Sequence, residues 1–246
     1  MSFTEPGGRG ADLTLRPAGP DDVPAIAQVF LGARAAAVPA MPPHVHTDEE
    51  VHAYHHERLA AGEELWVAEA AGEVVGYAHV TGGWLDALYV APGRQGQGIG
   101  TAMLDLAKSL RPEGFALWVF VSNKPARRFY RRHGLIELES TDGTGNEEGA
   151  PDLRMAWPGA DPLGYLRGQV DEVDADLALL LARRTALAVA IQEFKPVPGH
   201  AGRDPEREAA IVRRMAEHAP DLDEDALARI MHEVIAAGLD RAEQEG

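Results

Sequence analysis

The chain has 246 residues, 45% of them hydrophobic and 25% charged, which is typical of a soluble globular protein with one large or two small domains. A formal net charge of −16 argues against nucleic acid and against an anionic membrane surface as partners, because both are bound by basic surfaces. The sequence contains no cysteine, which excludes disulfides, thiolate metal sites and a cysteine nucleophile.

The N-terminus and the most apolar stretch of the chain predict no membrane targeting. Residues 1–11 are Gly-rich and lack the apolar run of a signal peptide, so we expect a flexible leader. Leu177–Ile191 is the most apolar stretch, but Arg183 and Arg184 interrupt it and it is too short to span a bilayer. We therefore expect a cytoplasmic protein.

Residues 12–157 alternate short apolar runs with helical periodicity, which predicts an α/β domain. Runs rich in β-branched and aromatic residues predict strands over Leu65–Ala68, Val74–Val80, Leu85–Val90 and Phe115–Val121. Apolar periodicity predicts helices over Asp21–Ala35 and Gly98–Ser109.

The sequence pattern changes after Trp157. Residues 158–162 form a turn-rich linker, and no strand is predicted beyond it. Residues 163–246 are therefore expected to form a second, all-helical domain. Its helices are predicted over Pro162–Glu193, Asp204–Ala219 and Asp223–Glu243.

A Gly-rich turn joins the strand that ends near Val90 to the helix that begins near Gly98. Glycine allows a tight turn and close approach of a ligand, and a helix N-terminus offers free N–H groups to an anion. The turn therefore predicts a pyrophosphate site. It does not fit the dinucleotide-binding fingerprint, because the glycines at 96, 98 and 100 are spaced differently, and the phosphate-loop lysine is missing.

Two motifs in this domain resemble those of the GNAT acetyltransferases. The first is Gln95-x-x-Gly98-x-Gly100, and the second is Asn123-x-x-Ala126-x-x-Phe129-Tyr130-x-x-x-Gly134. The resemblance covers residues 12–157. It implies a mixed central sheet flanked by helices, acetyl-CoA as cosubstrate, and N-acetylation of an unknown amine.

The GNAT resemblance also implies roles for individual residues. Backbone amides would hold the CoA pyrophosphate, and they belong to Gln95, Gly96, Gly98, Ile99, Gly100 and Thr101. The backbone of Leu88 and Val90 would pair with the pantetheine arm, and Asn123 would hydrogen-bond it. Tyr130 would protonate the departing thiolate as a general acid. Leu135 departs from the phenylalanine that is usual after the motif's last glycine.

The general base is left open by the sequence. Asp86 is one candidate, although an exposed strand carboxylate is an equal interpretation. Five histidines lie where this family places its acceptor-binding elements: His44, His46, His52, His55 and His56. His52 and His56 share a helix face, but the His-Glu-x-x-His motif of a zinc protease is missing, and no metal site is predicted.

An apolar seam with heptad-like spacing runs along the first C-terminal helix. Its members are Leu166, Val170, Val173, Leu177, Leu180, Arg184, Leu187, Ile191 and Phe194. Since a buried unpaired guanidinium is costly, Arg184 should meet an anion, either a carboxylate of the protein or a ligand. Glu208 stands on the apolar stripe of the second helix, one turn after the N-cap Asp204. A carboxylate in this place should likewise have a partner.

The polar positions of the helical domain resemble those of the all-helical, bacterial-type chorismate mutase of aromatic amino acid biosynthesis. They are Arg167, Arg184, Lys195, Asp204, Arg207 and Glu208. The resemblance implies rearrangement of chorismate to prephenate, a unimolecular reaction that needs no cofactor. It also implies an intertwined homodimer, because three helices cannot cover the long seam.

By this resemblance, Arg184 and Arg167 grip the two carboxylates of chorismate, with Arg167 reaching into the neighbouring subunit's site. Lys195 donates to the ether oxygen and to a carboxylate. Asp204 and Glu208 meet the ring hydroxyl.

Arg207 is implied to support the same site. The last helix, in contrast, departs from the mutase pattern. The family has a small polar residue and, four positions later, a glutamine that donates to the ether oxygen. Gly238 and Ala242 stand there instead, and Glu243 or Gln244 could enter by a slight shift. A Glu243 in this place would have to be protonated, so activity would fall as pH rises.

The sequence leaves other functions open beside the bifunctional enzyme. The helical domain could act on isochorismate as a pyruvate lyase, or on 4-amino-4-deoxychorismate. It could also be a non-catalytic dimerisation or sensor module that regulates the acetyltransferase. The first domain could bind CoA without turnover.

Overall fold

The computed structural model describes residues 13–245, so the leader predicted for residues 1–11 lies outside the described residues. The chain divides into two compact units after Leu166. This division falls just inside a long helix that begins at Pro162.

A mixed seven-stranded sheet forms the centre of the first unit, with the strand order β1-β2-β3-β4-β5-β7-β6. The strands are β1 (Leu13–Pro17), β2 (Glu64–Ala70), β3 (Glu73–Thr81), β4 (Trp84–Val90), β5 (Phe115–Phe120), β6 (Ile136–Ser140) and β7 (Asp152–Trp157). β4 and β5 are parallel, and the other neighbouring pairs are antiparallel. The four predicted strands correspond to β2, β3, β4 and β5.

Two pairs of helices cover the two faces of this sheet. They are α1 (Val23–Ala37) and α2 (Asp48–Ala60) on one face, and α3 (Ile99–Leu110) and α4 (Lys124–Arg132) on the other. On the α1 face, Ile26 packs with Val67 and Tyr77. On the α3 face, Met103 and Met155 are fully buried. The prediction of a mixed sheet flanked by helices is confirmed.

A β-bulge in β4 determines which side chains face each layer. His79 pairs with Ala87 and Val80 pairs with Leu85, so Asp86 is an extra residue of β4 without a partner in this register. After the bulge, Leu88 packs toward the α3 face, while Tyr89 packs toward the α1 face.

The parallel strands β4 and β5 separate soon after they begin. Trp84 pairs with Ala116, and the amide of Ala116 also donates to the carbonyl of Gly83 at 2.9 Å. Within residues 13–245, no further β4–β5 pair follows. The β5-facing edge of residues 85–90 therefore lines an opening in the sheet.

The second unit contains three α-helices: the part of α5 (Pro162–Gln192) after Leu166, α6 (Pro205–Ala216) and α7 (Glu224–Glu245). Asp204 caps α6, with its carboxylate accepting the amide of Arg207 at 3.0 Å. The small core between α6 and α7 centres on Val212, Leu227 and Met231. The prediction of an all-helical second domain is confirmed, since the described residues after Trp157 contain no strand.

The apolar seam of α5 is largely exposed in the single chain. Val170, Val173 and Leu180 have exposed fractions of 57, 61 and 61%. Contiguous exposed apolar faces of this kind are typical of interaction surfaces. None of the helices within residues 13–245 is both long and apolar enough to cross a membrane.

Candidate active sites

The Gly-rich turn wraps the N-terminus of α3 as the sequence predicts. Gly93, Gly96 and Gly98 have φ values of 79, 75 and 83°, which strain any other L-residue, and Gly98 is the N-cap of α3. The free N–H groups of the first turn of α3 therefore lie beside the turn. This geometry suits a pyrophosphate.

A cleft of about 1510 Å³ extends from this turn into the opening between β4 and β5. The predicted CoA-binding residues that line it are Leu88, Val90, Gln95, Gly96, Gly98, Gly100, Thr101 and Asn123. Ile99 differs, because its side chain is buried in the core and only its backbone amide belongs to the turn.

Gly100 allows three elements to meet at the cleft. A Cβ at this position would lie 3.6 Å from the ring of Phe129 on α4 and 3.8 Å from Val90 on β4. Asn123 begins α4, and its side-chain oxygen accepts the amide of Ala126 at 3.2 Å. Because capping uses the oxygen, the side-chain nitrogen remains a donor for a ligand.

Tyr130 lies on α4 and lines the same cleft. Its ring packs against Phe129 with centroids 5.3 Å apart. Burial raises the pKa of the Tyr130 phenol well above its usual value of 10, with Tyr89 adding to the shift. The phenol therefore stays protonated near neutral pH.

A buried arginine that the sequence analysis missed closes the α1 side of the cleft. Arg34 is 5% exposed, forms an ion pair of 2.7 Å with Glu148, and donates to the carbonyl of Pro42 at 3.1 Å. Its guanidinium also lies over the rings of Phe30 and Phe120. It therefore ties the segment after α1 to the segment between β6 and β7. The sequence feature that could have identified Arg34 is its position as a cation on the apolar stripe of α1, one turn after Phe30.

The bulged residue Asp86 belongs to the part of β4 that borders the opening. Its side chain is exposed, lines the cleft and accepts a hydrogen bond from the hydroxyl of Thr81. Trp84 and Trp118 stack on the same face with centroids 6.3 Å apart and planes within 10°. Trp118 also lines the cleft. A carboxylate and an indole ring that line one cleft can both interact favourably with an ammonium group.

Two of the five predicted histidines, His46 and His55, form polar contacts within the protein. His55 is buried; its Nδ1 donates to the carbonyl of Val51 at 2.8 Å and its Nε2 lies 3.2 Å from the hydroxyl of Tyr77. Burial lowers the pKa of His55. His46 contacts Glu147 at 2.5 Å. In the part of the chain that the structure describes, no three metal-binding side chains are grouped.

In the second unit, Arg184 and Lys195 are anchored to backbone carbonyls. Arg184 is partly buried and donates to the carbonyl of Val234 on α7 at 3.3 Å. The ammonium of Lys195 donates to the carbonyl of Gly202 at 2.5 Å. Arg167 is exposed on α5, 17 residues before Arg184 and hence about 25 Å away along the helix axis. It cannot converge with Arg184 within one chain.

Glu208 has a partner that the sequence analysis left without a role. Arg203 donates to both oxygens of its carboxylate, at 2.9 and 2.7 Å. These charged hydrogen bonds hold the pKa of Glu208 below its usual value. Arg203 directly precedes the N-cap Asp204, so its side chain can fold back over the first turn of α6.

The last helix lies close to α5 at its departure from the mutase pattern. A Cβ at Gly238 would lie 3.1 Å from the Cβ of Ala188, a contact that leaves no room for a larger side chain without adjustment. Glu243 accepts the amide of His200 at 3.2 Å. It therefore serves as an acceptor at the turn that also carries Gly202.

Comparisons with known proteins identify both units. A family model of the acetyltransferase (GNAT) domain matches residues 61–135, and a model of chorismate mutase type II matches residues 166–243. The chain joins a GNAT acetyltransferase domain to a chorismate mutase type II domain. Both resemblances expected from the sequence motifs are thereby confirmed.

Individual relatives resemble the acetyltransferase domain. The peptidyl-lysine N-acetyltransferase YiaC of Escherichia coli K12 is 31% identical over 101 residues, which are 40% of this chain and 66% of the relative, just under two thirds of its length. The solution structure of apo-YjaB from Escherichia coli has 21% identity and a TM-score of 0.48 over 61% of this chain and 99% of that one. The structure of yncA from Salmonella typhimurium with its cofactor acetyl-CoA has 19% identity and a TM-score of 0.49 over 61% of this chain and 95% of that one.

Proposed function

We propose that the protein is a bifunctional enzyme that acetylates an amine with acetyl-CoA and rearranges chorismate to prephenate. The observation that supports the first activity is the separation of β4 from β5 beside the Gly-rich turn. The second activity is supported by three charged groups of the helical unit that are held by the protein: Arg184 and Lys195 on backbone carbonyls, and Glu208 on Arg203.

In the acetyltransferase domain, the pyrophosphate of CoA would bind the turn that ends at Gly98. The pantetheine arm would add to the open edge of β4 at Leu88 and Val90, as an extended peptide adds to a sheet. Asn123 would donate to the arm from the opposite side. These interactions would place the thioester in the opening between β4 and β5.

Acetyl transfer would then proceed by direct attack of the amine on the thioester carbon. A C–N bond forms, the C–S bond breaks, and the thiolate of CoA leaves. Tyr130 would give its proton to that thiolate, since its raised pKa keeps the phenol protonated. Asp86 would accept the proton of the amine, from its position on the bulge.

We propose that the acceptor is a primary amine that enters as a cation. Asp86 offers the charge, and Trp118, which lines the same cleft, offers an aromatic surface. The relative YiaC is a peptidyl-lysine N-acetyltransferase, and a lysine side chain has this chemistry. Incubation with acetyl-CoA and lysine-containing peptides, followed by mass spectrometry, tests the proposal; the Asp86→Asn variant should bind CoA normally but lose transfer.

In the mutase domain, chorismate would be held by its carboxylates in the folded conformation that rearranges. Arg184 would bind one carboxylate and Arg167 of a second copy the other, because Arg167 lies too far from Arg184 in its own chain. Lys195 would donate to the ether oxygen, where negative charge develops. A homodimer would also cover the exposed seam of α5. No cofactor is needed for this rearrangement.

Loss of the ultraviolet absorbance of chorismate, with Arg184→Ala as the control, tests the mutase. Product analysis separates prephenate from the products of the lyase alternative. A regulatory module is the remaining alternative, favoured by Gly238 and Ala242. It predicts chorismate binding that changes acetyl transfer without any consumption of chorismate.

A further inference from the structure

The ion pair between Arg203 and Glu208 occupies the place where the mutase resemblance expects contact with the substrate hydroxyl. The guanidinium meets the carboxylate in a two-point arrangement, with one nitrogen on each oxygen. Both side chains are partly accessible, with 22 and 25% exposed. A carboxylate oxygen has two acceptor positions, so each oxygen can still accept one more hydrogen bond.

The same guanidinium connects α6 to α7. Its Nη2, which donates to Glu208, also lies 3.2 Å from Nδ1 of His232. Since arginine can only donate, this contact requires an unprotonated Nδ1. The charged and titratable groups that act on Glu208 are thus Arg203, His232 and Asp204.

We propose that Arg203 is a positioning and specificity residue, which holds Glu208 as a hydrogen-bond acceptor for the ring hydroxyl of the substrate and disfavours an ammonium group there. The proposal rests on the proposed mutase function. It concerns Arg203 alone, which contacts Glu208 rather than the reacting atoms.

Charge explains the selectivity. A free Glu208 would attract an ammonium group more strongly than a hydroxyl, by Coulomb attraction. With Arg203 bound, the pair has no net charge, and an ammonium group would approach a guanidinium of the same sign. A hydroxyl needs only a vacant acceptor position, so it keeps its hydrogen bond. Repulsion of the wrong group is a usual source of specificity.

The Arg203→Gln variant tests the proposal, with Arg229→Gln as the control. Arg229 is exposed on α7 and is not a predicted site residue, so the control removes the same charge elsewhere. Helical content by circular dichroism verifies folding. The kcat/KM for chorismate is measured between pH 4.5 and 8, and binding of chorismate is compared with that of 4-amino-4-deoxychorismate.

Loss of Arg203 should raise the pKa of Glu208, so the acidic limb of the kcat/KM profile should move to higher pH. The preference for chorismate over the amino analogue should fall by about tenfold. Arg203→Lys keeps the charge but not the two-point contact, so it should keep the preference while KM rises. This variant also tests the proposal if Arg203→Gln fails to fold.

Two results would overturn the inference, and they are distinguishable. If the wild-type protein neither binds nor consumes chorismate, the proposed mutase function fails and the inference with it. If the wild type consumes chorismate and Arg203→Gln shifts neither the acidic limb nor the substrate preference, the inference alone fails.

Discussion

Trp84 pairs with Ala116 at the point from which β4 and β5 diverge, and the two strands enclose the cleft beyond it. A parallel pair that ends so early leaves the edge of β4 without strand partners in the described sheet. The Gly-rich turn follows directly at the end of that edge. The backbone of one short segment therefore offers both a strand edge and a helix N-terminus to a single extended ligand.

Substituting Gly98 by Ala should weaken CoA binding about tenfold. Its φ of 83° costs an L-residue about 1–2 kcal/mol, and relaxation would turn the amides of the α3 N-terminus away from the pyrophosphate. Titration calorimetry with CoA measures the effect. Gly72→Ala is the control, because its φ of 79° lies in the β2–β3 turn outside the cleft. It should lower stability by a similar amount and leave the affinity for CoA unchanged; equal affinity losses would contradict the site.

Replacing Tyr130 by Phe should reduce kcat by roughly 10²–10⁴-fold, the usual contribution of a general acid, while CoA still binds. Because burial raises the pKa of Tyr130, the phenol of the wild type stays protonated beyond pH 10. Acetyl transfer by the wild type should therefore show no loss near pH 10 that depends on Tyr130. The pH dependence of single-turnover transfer measures this, and an unchanged kcat in Tyr130→Phe would exclude its role.

The first unit should lose stability as pH falls below about 6.5. Burial lowers the pKa of His55 in the folded state, so the unfolded chain binds a proton that the folded chain does not. This stability is fully present above pH 6.5 and is lost as pH falls toward the lowered pKa. Urea unfolding followed by tryptophan fluorescence reports on this unit, because the four tryptophans all precede residue 158. His55→Gln should flatten the dependence, whereas the exposed His56→Gln should keep it.

The elements that could be predicted from the sequence are those with apolar periodicity or with glycine-rich turns at their ends. Apolar patterns predicted the strands β2 to β5 and all three C-terminal helices. The glycines at 96 and 98 predicted the turn before α3. β1 and β6 were missed because each has only five residues, and β7 was missed because it contains no β-branched residue. The boundaries at residues 157 and 163 remain predictions.

Contacts between distant segments could not be read from the chain. Arg34 meets Glu148 across 114 residues, and neither side chain shows this partner locally. Arg203 directly precedes the N-cap Asp204 in the sequence, but its two-point contact with Glu208 depends on how the chain enters α6. The roles of the candidate site residues stay predictions until variants are measured.

Introducing glutamine at Ala242 should increase mutase activity. The mutase pattern has a glutamine donor to the ether oxygen there, and Glu243 is engaged with the amide of His200 instead. A single donor to a developing oxyanion contributes roughly 10²–10³-fold, so a gain of at least tenfold in kcat is expected. Loss of chorismate absorbance measures it. Gly238→Ala is the contrasting variant, because its Cβ would press on Ala188 and should lower stability without a gain in rate.

A charge on the seam of α5 should separate the two activities. Leu180 lies on the seam and Leu179 beside it, and both are exposed in the single chain, at 61 and 70%. If a second copy covers the seam, Leu180→Glu buries a carboxylate without a partner and should dissociate the dimer. Mutase activity should then vanish, because Arg167 of the other copy is lost from the site, while acetyl transfer continues. Sedimentation equilibrium and the two activity assays test this. Leu179→Glu should leave both mass and mutase activity unchanged; a Leu180→Glu protein that remains dimeric and active would refute the seam as the interface.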